Sequence, residues 1–312
     1  MSRLLLAALA CSTAAAELVV VQPFGSPVPR QFLLLSDGVD CRGDCPAVVL
    51  LHGFSENPYL LSKSIGFEPL LKGRGWIGAV PFGLSPNNRT GPAACCDVGC
   101  DAACCEAGQH LAQNESAQCD WNTDRQTSGA WPAAADDTAF LSFLARYLVG
   151  KGADEKRIFA TGMSAGAMMV QRLGCNAAAA YGAVAPVEGD LMDNSTCAPT
   201  PAKQVPWLGF CGSLDFVCQS MGTSFKATTT DWAQRNGCDM ARPFTSKRVS
   251  NTTTCHSYVG CAQAVEACTV AGMGHKWPGH NEPEQKVPQN KGNVDASKYI
   301  FEFFDRVSSS LA

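Results

Sequence analysis

The stretch RIFATGMSAGAMMVQRLGC, residues 157–175, decides how this chain is read. Residues 158–161 form a short apolar strand, the end of the stretch forms an apolar helix, and Gly162-Met163-Ser164-Ala165-Gly166 lies between them. A G-x-S-x-G turn between strand and helix holds a serine on strained backbone angles. Glycine on both sides admits the neighbouring chain that such a sharp turn brings close. The helix that follows aims unpaired amides and a partial positive charge at any oxyanion formed beside the serine. Five residues alone would fit a small-residue turn without chemistry. The strand before and the helix after favour Ser164 as a nucleophile.

Working outward, alternating strands and helices predict a parallel, doubly wound α/β sheet. Residues 17–21 and 31–35 read as an opening antiparallel pair, and 47–51 as an apolar strand buried on both faces. A single helix over 59–71 and a strand over 76–81 follow. Asp136 or Asp137 then caps a helix whose buried face is Phe140, Leu144, Tyr147 and Leu148. Beyond the nucleophile helix come strands at 182–187 and 205–210, a helix ending at 231–236, strand and turn over 248–259, and a last strand at 264–271. Val294, Tyr299, Ile300, Phe303, Phe304 and Val307 mark an amphipathic terminal helix capped by Asp295.

With 46% hydrophobic and 17% charged residues, the 312-residue chain suits a globular protein with a large core. A formal charge of −4 without a basic patch argues against nucleic acid as a partner. Residues 1–16 carry Arg3, a short apolar run and a small-residue end, the pattern of a cleaved signal peptide. A lipid-anchored Cys11 is the rival reading of that segment. No later stretch is apolar enough to span a bilayer, so a secreted chain without a membrane partner is expected, with one domain over 17–312. Of seventeen cysteines, Cys11 falls in the leader, which leaves sixteen, an even number that fits disulfide pairing after export. Sequons at Asn88, Asn114, Asn194 and Asn251 are glycosylation candidates.

Cys41 and Cys45 bracket a polar turn and predict a loop-closing disulfide, within the turn or to another loop. Residues 84–129 lose all periodicity and hold Cys95, Cys96, Cys100, Cys104, Cys105 and Cys119. With few large apolar groups, this insertion needs disulfide staples to be ordered, and it is expected at the rim of the site. A metal cluster is the weaker alternative, because the spacing lacks C-x2-C pairs with matching histidines. No metal and no cofactor are expected.

The remaining chemistry follows from the order nucleophile, acid, base. After strand 47–51 comes His52-Gly53-Phe54, whose Phe54 amide, with that of Ala165, is the expected oxyanion donor pair. His52 itself reads as a structural hydrogen-bonder. Asp215, in FCGSLDF, follows strand 205–210, and a carboxylate there would orient an imidazole. Asp190, after the preceding strand, competes for that role. His275, on the glycine-rich loop AGMGHKWPGH, is the expected base, with His280 as the rival on the same loop.

Taken together, LHGF, GMSAGAMM, AVAPVEG, CGSLDFV, NGC and GMGHKWPG, in that order over most of residues 46–305, resemble a known family. It is that of the secreted α/β-hydrolase esterases, which includes polyhydroxybutyrate depolymerases and type C feruloyl esterases. The resemblance implies an α/β-hydrolase fold and a serine esterase with Ser164 as nucleophile, Asp215 as acid and His275 as base. Trp277 joins them as a substrate-binding residue. It also implies a Cys175–Cys197 disulfide and an ester substrate drawn from plant cell-wall or polyester material. Two departures stand out: Cys211 occupies a position that is usually histidine, and the cysteine-rich insertion is long. A serine peptidase on the same fold, or a non-catalytic binding protein that keeps the scaffold, remains an alternative.

Overall fold

The computed structural model describes residues 12–13, 16–23, 29–54, 56–84, 120–123, 136–191, 197, 203–221, 223–242, 244–280 and 294–311. Eleven strands make one sheet: β1 (Ser12–Thr13), β2 (Ala16–Val21), β3 (Arg30–Leu35), β4 (Cys45–Leu51), β5 (Ile77–Pro81), β6 (Ala153–Met163), β7 (Ala183–Val187), β8 (Trp207–Gly212), β9 (Thr245–Arg248), β10 (Thr253–Ser257) and β11 (Val265–Val270). They run in the order β1-β2-β3-β5-β4-β6-β7-β8-β11-β10-β9. The six from β5 to β11 in that order are parallel, with antiparallel strands at both margins. Parallel neighbours need crossovers, which are supplied by α1 (Pro58–Ser64), α2 (Phe67–Lys72), α3 (Asp137–Gly150), α4 (Ala165–Asn176), α5 (Phe216–Ser220) and α6 (Phe225–Arg235). Helix α7 (Ala296–Leu311) closes the described chain.

Strand β4 shows why the sheet is buried on both sides. Residues 47–51 have no exposure, and their period-2 alternation sends Ala47, Val49 and Leu51 into one core layer and Val48 and Leu50 into the other. The first layer is closed by α3, α4 and α6 through Phe140, Leu144, Met169, Val170 and Trp232. The second is closed by α1, α2 and α7 through Leu61, Phe67, Ile300 and Phe304, with Phe304 stacked on Phe159 at 4.6 Å between ring centres.

Local chemistry sets the boundaries. Asn57 Oδ1 accepts the amides of Tyr59 and Leu60 and starts α1, and Asp136 Oδ1 accepts that of Ala139 and starts α3. The helix expected over 59–71 is two helices, because Gly66 takes φ 64° between them, a left-handed turn that glycine adopts without strain. Strand β8 ends two residues later than expected, at Gly212. The segment expected as strand and turn is a hairpin of β9 and β10. Tyr147 is only partly buried, with its ring edge-on to Phe32 at 5.1 Å.

Five disulfides occur among the described residues: Cys41–Cys45, Cys175–Cys197, Cys211–Cys218, Cys238–Cys261 and Cys255–Cys268. The first closes its own turn. The second ties the end of α4 to the approach to β8. Cys211, where the resemblance leads one to expect histidine, brackets the acid loop with Cys218. The six cysteines of the insertion and the sequons Asn88, Asn114 and Asn194 lie outside the described residues. Asn251 is exposed between β9 and β10, as a glycosylation acceptor must be. The insertion is fastened at its start and at residue 120, since Leu84 and Asp120 exchange backbone hydrogen bonds. The indole of Trp121 reaches the carbonyl of His52 at 2.8 Å. No helix among the described residues is long and apolar enough to cross a membrane.

Candidate active site

The chain passes from β4 to β5 on one side and returns with β6 on the other. The strand order therefore reverses between β4 and β6, and in open α/β sheets ligands bind beyond the carboxyl ends of the strands at such a point. Ser164 stands there, directly after β6. Its φ of 56° and ψ of −119° are strained for a residue with a side chain, and its amide is pinned to Val187 O at 3.0 Å. The flanking glycines are needed for contact. A Cβ on Gly162 would lie 2.7 Å from Leu51 O, and one on Gly166 would lie 2.4 Å from Leu51 O and 2.5 Å from His52 O. The tip of β4 is thereby pressed against the serine turn, and Gly53 backs onto the Ser164 side chain.

The loop carrying Phe54 is shaped by a buried histidine. His52 Nε2 accepts the amide of Gly83 at 2.9 Å, so Nδ1 bears the proton and donates to Gly53 O at 2.7 Å. Burial lowers its pKa to about 4, against a smaller opposite effect of the Gly53 hydrogen bond, and the ring stays neutral. Glu56 Oε2 takes the Gly53 amide at 2.7 Å. Phe54 follows with half its surface exposed, and Ala165 is the first residue of α4.

Asp215 follows β8 as the cap of α5, with Oδ1 accepting the Val217 amide at 2.8 Å and Oδ2 lying 2.9 Å from His275 Nδ1. Its carboxyl is buried, whereas the histidine side chain is about one-third exposed (36%). Burial alone would push the Asp215 pKa up. Hydrogen bonds from His275 and Glu188, the charge of His275 and the Val217 amide outweigh it and hold the carboxyl below its ordinary range. The structure thus brings Asp215 and His275 together at the ends of β8 and β11, and places Ser164 at the end of β6, with only β7 between β6 and β8.

The rivals are placed otherwise. Asp190 is fully buried and accepts a hydrogen bond from Thr228 of α6 at 2.7 Å. Burial first, then the charge of Asp215, raise it to about 7 against the Thr228 hydrogen bond. His280 Nε2 lies 3.1 Å from Asp295 Oδ1, on the capping residue of α7. Trp277, expected at the substrate, is 6% exposed and donates its indole N–H to Ser297 Oγ at 3.0 Å. It is packed in the core beneath the histidine loop and so supports that loop from below.

Two features escaped the sequence reading. Arg30 and Asp137 form a buried ion pair at 2.6 Å, and Asp137 Oδ2 also takes the Asn122 amide, which ties the later part of the insertion to α3. Glu188, inside AVAPVEG, is fully buried at φ 54°, with Oε2 accepting the Gly212 amide at 2.9 Å and one of its carboxylate oxygens within 4.8 Å of both the Asp215 and the His275 ligand atoms. Its signal in the sequence was a lone carboxylate directly after a fully apolar strand.

With this geometry in view, the likenesses to known proteins can be weighed. No protein-family model matches the chain. Feruloyl esterase B of Piromyces equi is 31% identical over 163 residues, 45% of this chain and 29% of that protein, so the chain spans less than a third of the relative's length. Acetyl xylan esterase from Aspergillus awamori superposes with a TM-score of 0.60 over 93% of this chain and 99% of its own, at 14% identity. A fungal esterase from Rhizomucor miehei gives 0.54 over 95% and 85%, at 12% identity. S-formylglutathione hydrolase from Agrobacterium tumefaciens gives 0.54 over 96% of both chains, at 11% identity. The class that the fold defines is plain: this chain has the α/β-hydrolase fold. Within that class, the relative similar in sequence is an esterase.

Proposed function

We propose that the chain is a secreted serine carboxylic ester hydrolase of the feruloyl esterase or polyhydroxybutyrate depolymerase kind, working through Ser164, His275 and Asp215. The observation that carries the reading is the buried Asp215 carboxylate on His275 Nδ1, at the end of a strand two places along the sheet from a strained serine turn at its switch point. With Nδ1–H given to Asp215, Nε2 takes the Ser164 proton as Oγ attacks the ester carbonyl. The amides of Phe54 and Ala165 stabilise the oxyanion. Collapse expels the alcohol, protonated by His275, and leaves an acyl-enzyme. Water then gives its proton to the same nitrogen and adds to the acyl carbon. The adduct collapses by breaking the bond to Oγ, His275 returns the proton to Ser164, and the acid leaves. Every step uses groups of the chain and water, so no cofactor is required.

Exposed Phe54, Leu214 and Phe216 flank the oxyanion loop and the acid in sequence, and they support an apolar or aromatic acyl group. The five disulfides support export to an oxidising compartment. Removal of residues 1–16 would take β1 and the first residue of β2 with the leader and leave β2 from Glu17 as the edge strand. The test is labelling by a fluorophosphonate, followed by a panel of aryl, feruloyl and hydroxybutyrate esters beside peptide substrates. Labelling at Ser164 with ester turnover is expected. No labelling would leave a binding protein, and faster peptide cleavage would make the chain a peptidase.

A further inference from the structure

Glu188 has no part in the mechanism above, yet its position is costly to maintain. It is a carboxylate with no exposure and a left-handed φ, fixed through its own amide to Phe210 O at 2.9 Å. Oε2 is satisfied by the Gly212 amide and lies 3.3 Å from the Cys218 sulfur of the acid-loop disulfide. Oε1, equally buried, receives no hydrogen bond among the described residues. The carboxylate is close to that of Asp215: one ligand atom each of Glu188, Asp215 and His275 lie within 4.8 Å of one another. Two neighbouring carboxylates do not both stay ionised in a buried site, and the proton stays on the one with fewer hydrogen-bond donors. Asp215 has His275, and Glu188 has only a backbone amide and a disulfide.

We propose that Glu188 is a positioning residue: held protonated, it donates a hydrogen bond to Asp215 and fixes the acid alongside its contact with His275. Asp215 would then be held at three points, by Val217 N–H, by Glu188 and by the imidazole, and the cluster carries one negative charge instead of two. Burial, the shared hydrogen bond and the charge of Asp215 all favour the neutral form of Glu188 over the pull of the Gly212 amide. The titratable groups bearing on it are Asp215, His275, and Asp190 two residues along, which is itself raised by burial and by Asp215.

This inference rests on the reading of Asp215 and His275 as acid and base. Its test therefore includes a measurement that needs no turnover. Glutamine reproduces a neutral glutamate, with its oxygen for Gly212 N–H and its amide for Asp215. Methionine keeps the volume and removes the donor. Glu188→Gln should keep kcat within about threefold and leave the acid limb of kcat/KM in place. Glu188→Met should lower kcat about tenfold or more at unchanged KM. It should also raise the His275 titration by about one pH unit, followed by NMR of the imidazole in the Ser164→Ala background, because an Asp215 relieved of its donor holds the imidazolium more tightly. A drop of the acid limb in Glu188→Gln would show an ionised Glu188 and overturn the proposal. So would identical behaviour of the two variants. Should Glu188→Met not fold, the glutamine variant and its His275 titration decide alone. An intact NMR pattern in a chain without esterase activity would count against the proposed function and not against this contact.

Discussion

Two histidine–aspartate pairs sit five residues apart on one loop, and they are built for different ends. His275 Nδ1 meets Asp215 at 2.9 Å, with the aspartate buried behind it and the ring partly open to solvent. His280 Nε2 meets Asp295 at 3.1 Å, with both partners partly exposed and Ser297 Oγ at 3.4 Å. In the first pair the acid comes from the end of β8, two places along the parallel sheet from the strand that leads into the serine turn. In the second it caps α7, and Ser297 passes the contact on to Ile65 O at 2.8 Å. Pairing alone does not make a base. An oriented ring with one nitrogen left over for a substrate does, and the buried Asp215 orients His275 through Nδ1 in that way.

The widest separation of the two pairs is expected in turnover. His275→Ala, like Ser164→Ala, should reduce kcat on an aryl acetate by on the order of 10⁶, whereas His280→Ala should stay within about threefold. The reverse order would make His280 the base. Next, Asp215→Asn should cost about 10⁴ in kcat by favouring the wrong tautomer. Asp295→Asn should leave kcat nearly unchanged, and an equal loss in both would erase the distinction drawn here.

Stability should move the other way. The His280, Lys298 amide and charge contacts hold Asp295 below its ordinary range against the opposing, largest effect of burial. A depressed acid contributes stability above its unfolded pKa, and that contribution disappears as pH falls through the folded value. His280→Ala should therefore cost about 1 kcal/mol at pH 7 by urea titration, and less as the solution is acidified below pH 4. A cost that grows on acidification would reverse the assigned sign.

The smallest effect concerns Asp190. Its folded pKa of about 7 lies above the unfolded value of 3.8, so stability is present below pH 4 and is lost as pH rises towards 7. Asp190→Asn should raise Tm at pH 8 more than at pH 5, with kcat changed less than tenfold. A large rate loss instead would transfer the acid role from Asp215 to Asp190.

Much of the site was legible because its signals are local. The serine turn is written in five consecutive residues, and Gly162 and Gly166 proved to be the points where β4 makes contact. The order of strands after Ser164 was enough to name Asp215 and His275 as candidates. Where the reading slipped, a non-local fact intervened. Apolar periodicity runs straight through 59–71, and only the left-handed backbone of Gly66 splits it. Trp277 lies two residues from His275 in sequence, but an aromatic ring on a loop turns towards whichever cavity the fold leaves, here the layer under α7.

By itself, the sequence determined the alternation of strand and helix, the buried parallel strands and the serine on its turn. Each depends on residues within one or two turns of one another, whose periodicity and backbone preferences are local. Tertiary structure alone decided which acid meets the imidazole. Asp190 and Asp215 follow neighbouring strands with similar surroundings in the sequence, and the strand register turns one to Thr228 and the other to His275. The place of Glu188 was decided in the same way. A carboxylate's charge and partners depend on what the fold packs around it, and those groups, the Gly212 amide, the Cys211–Cys218 bridge and Asp215, lie more than twenty residues away along the chain.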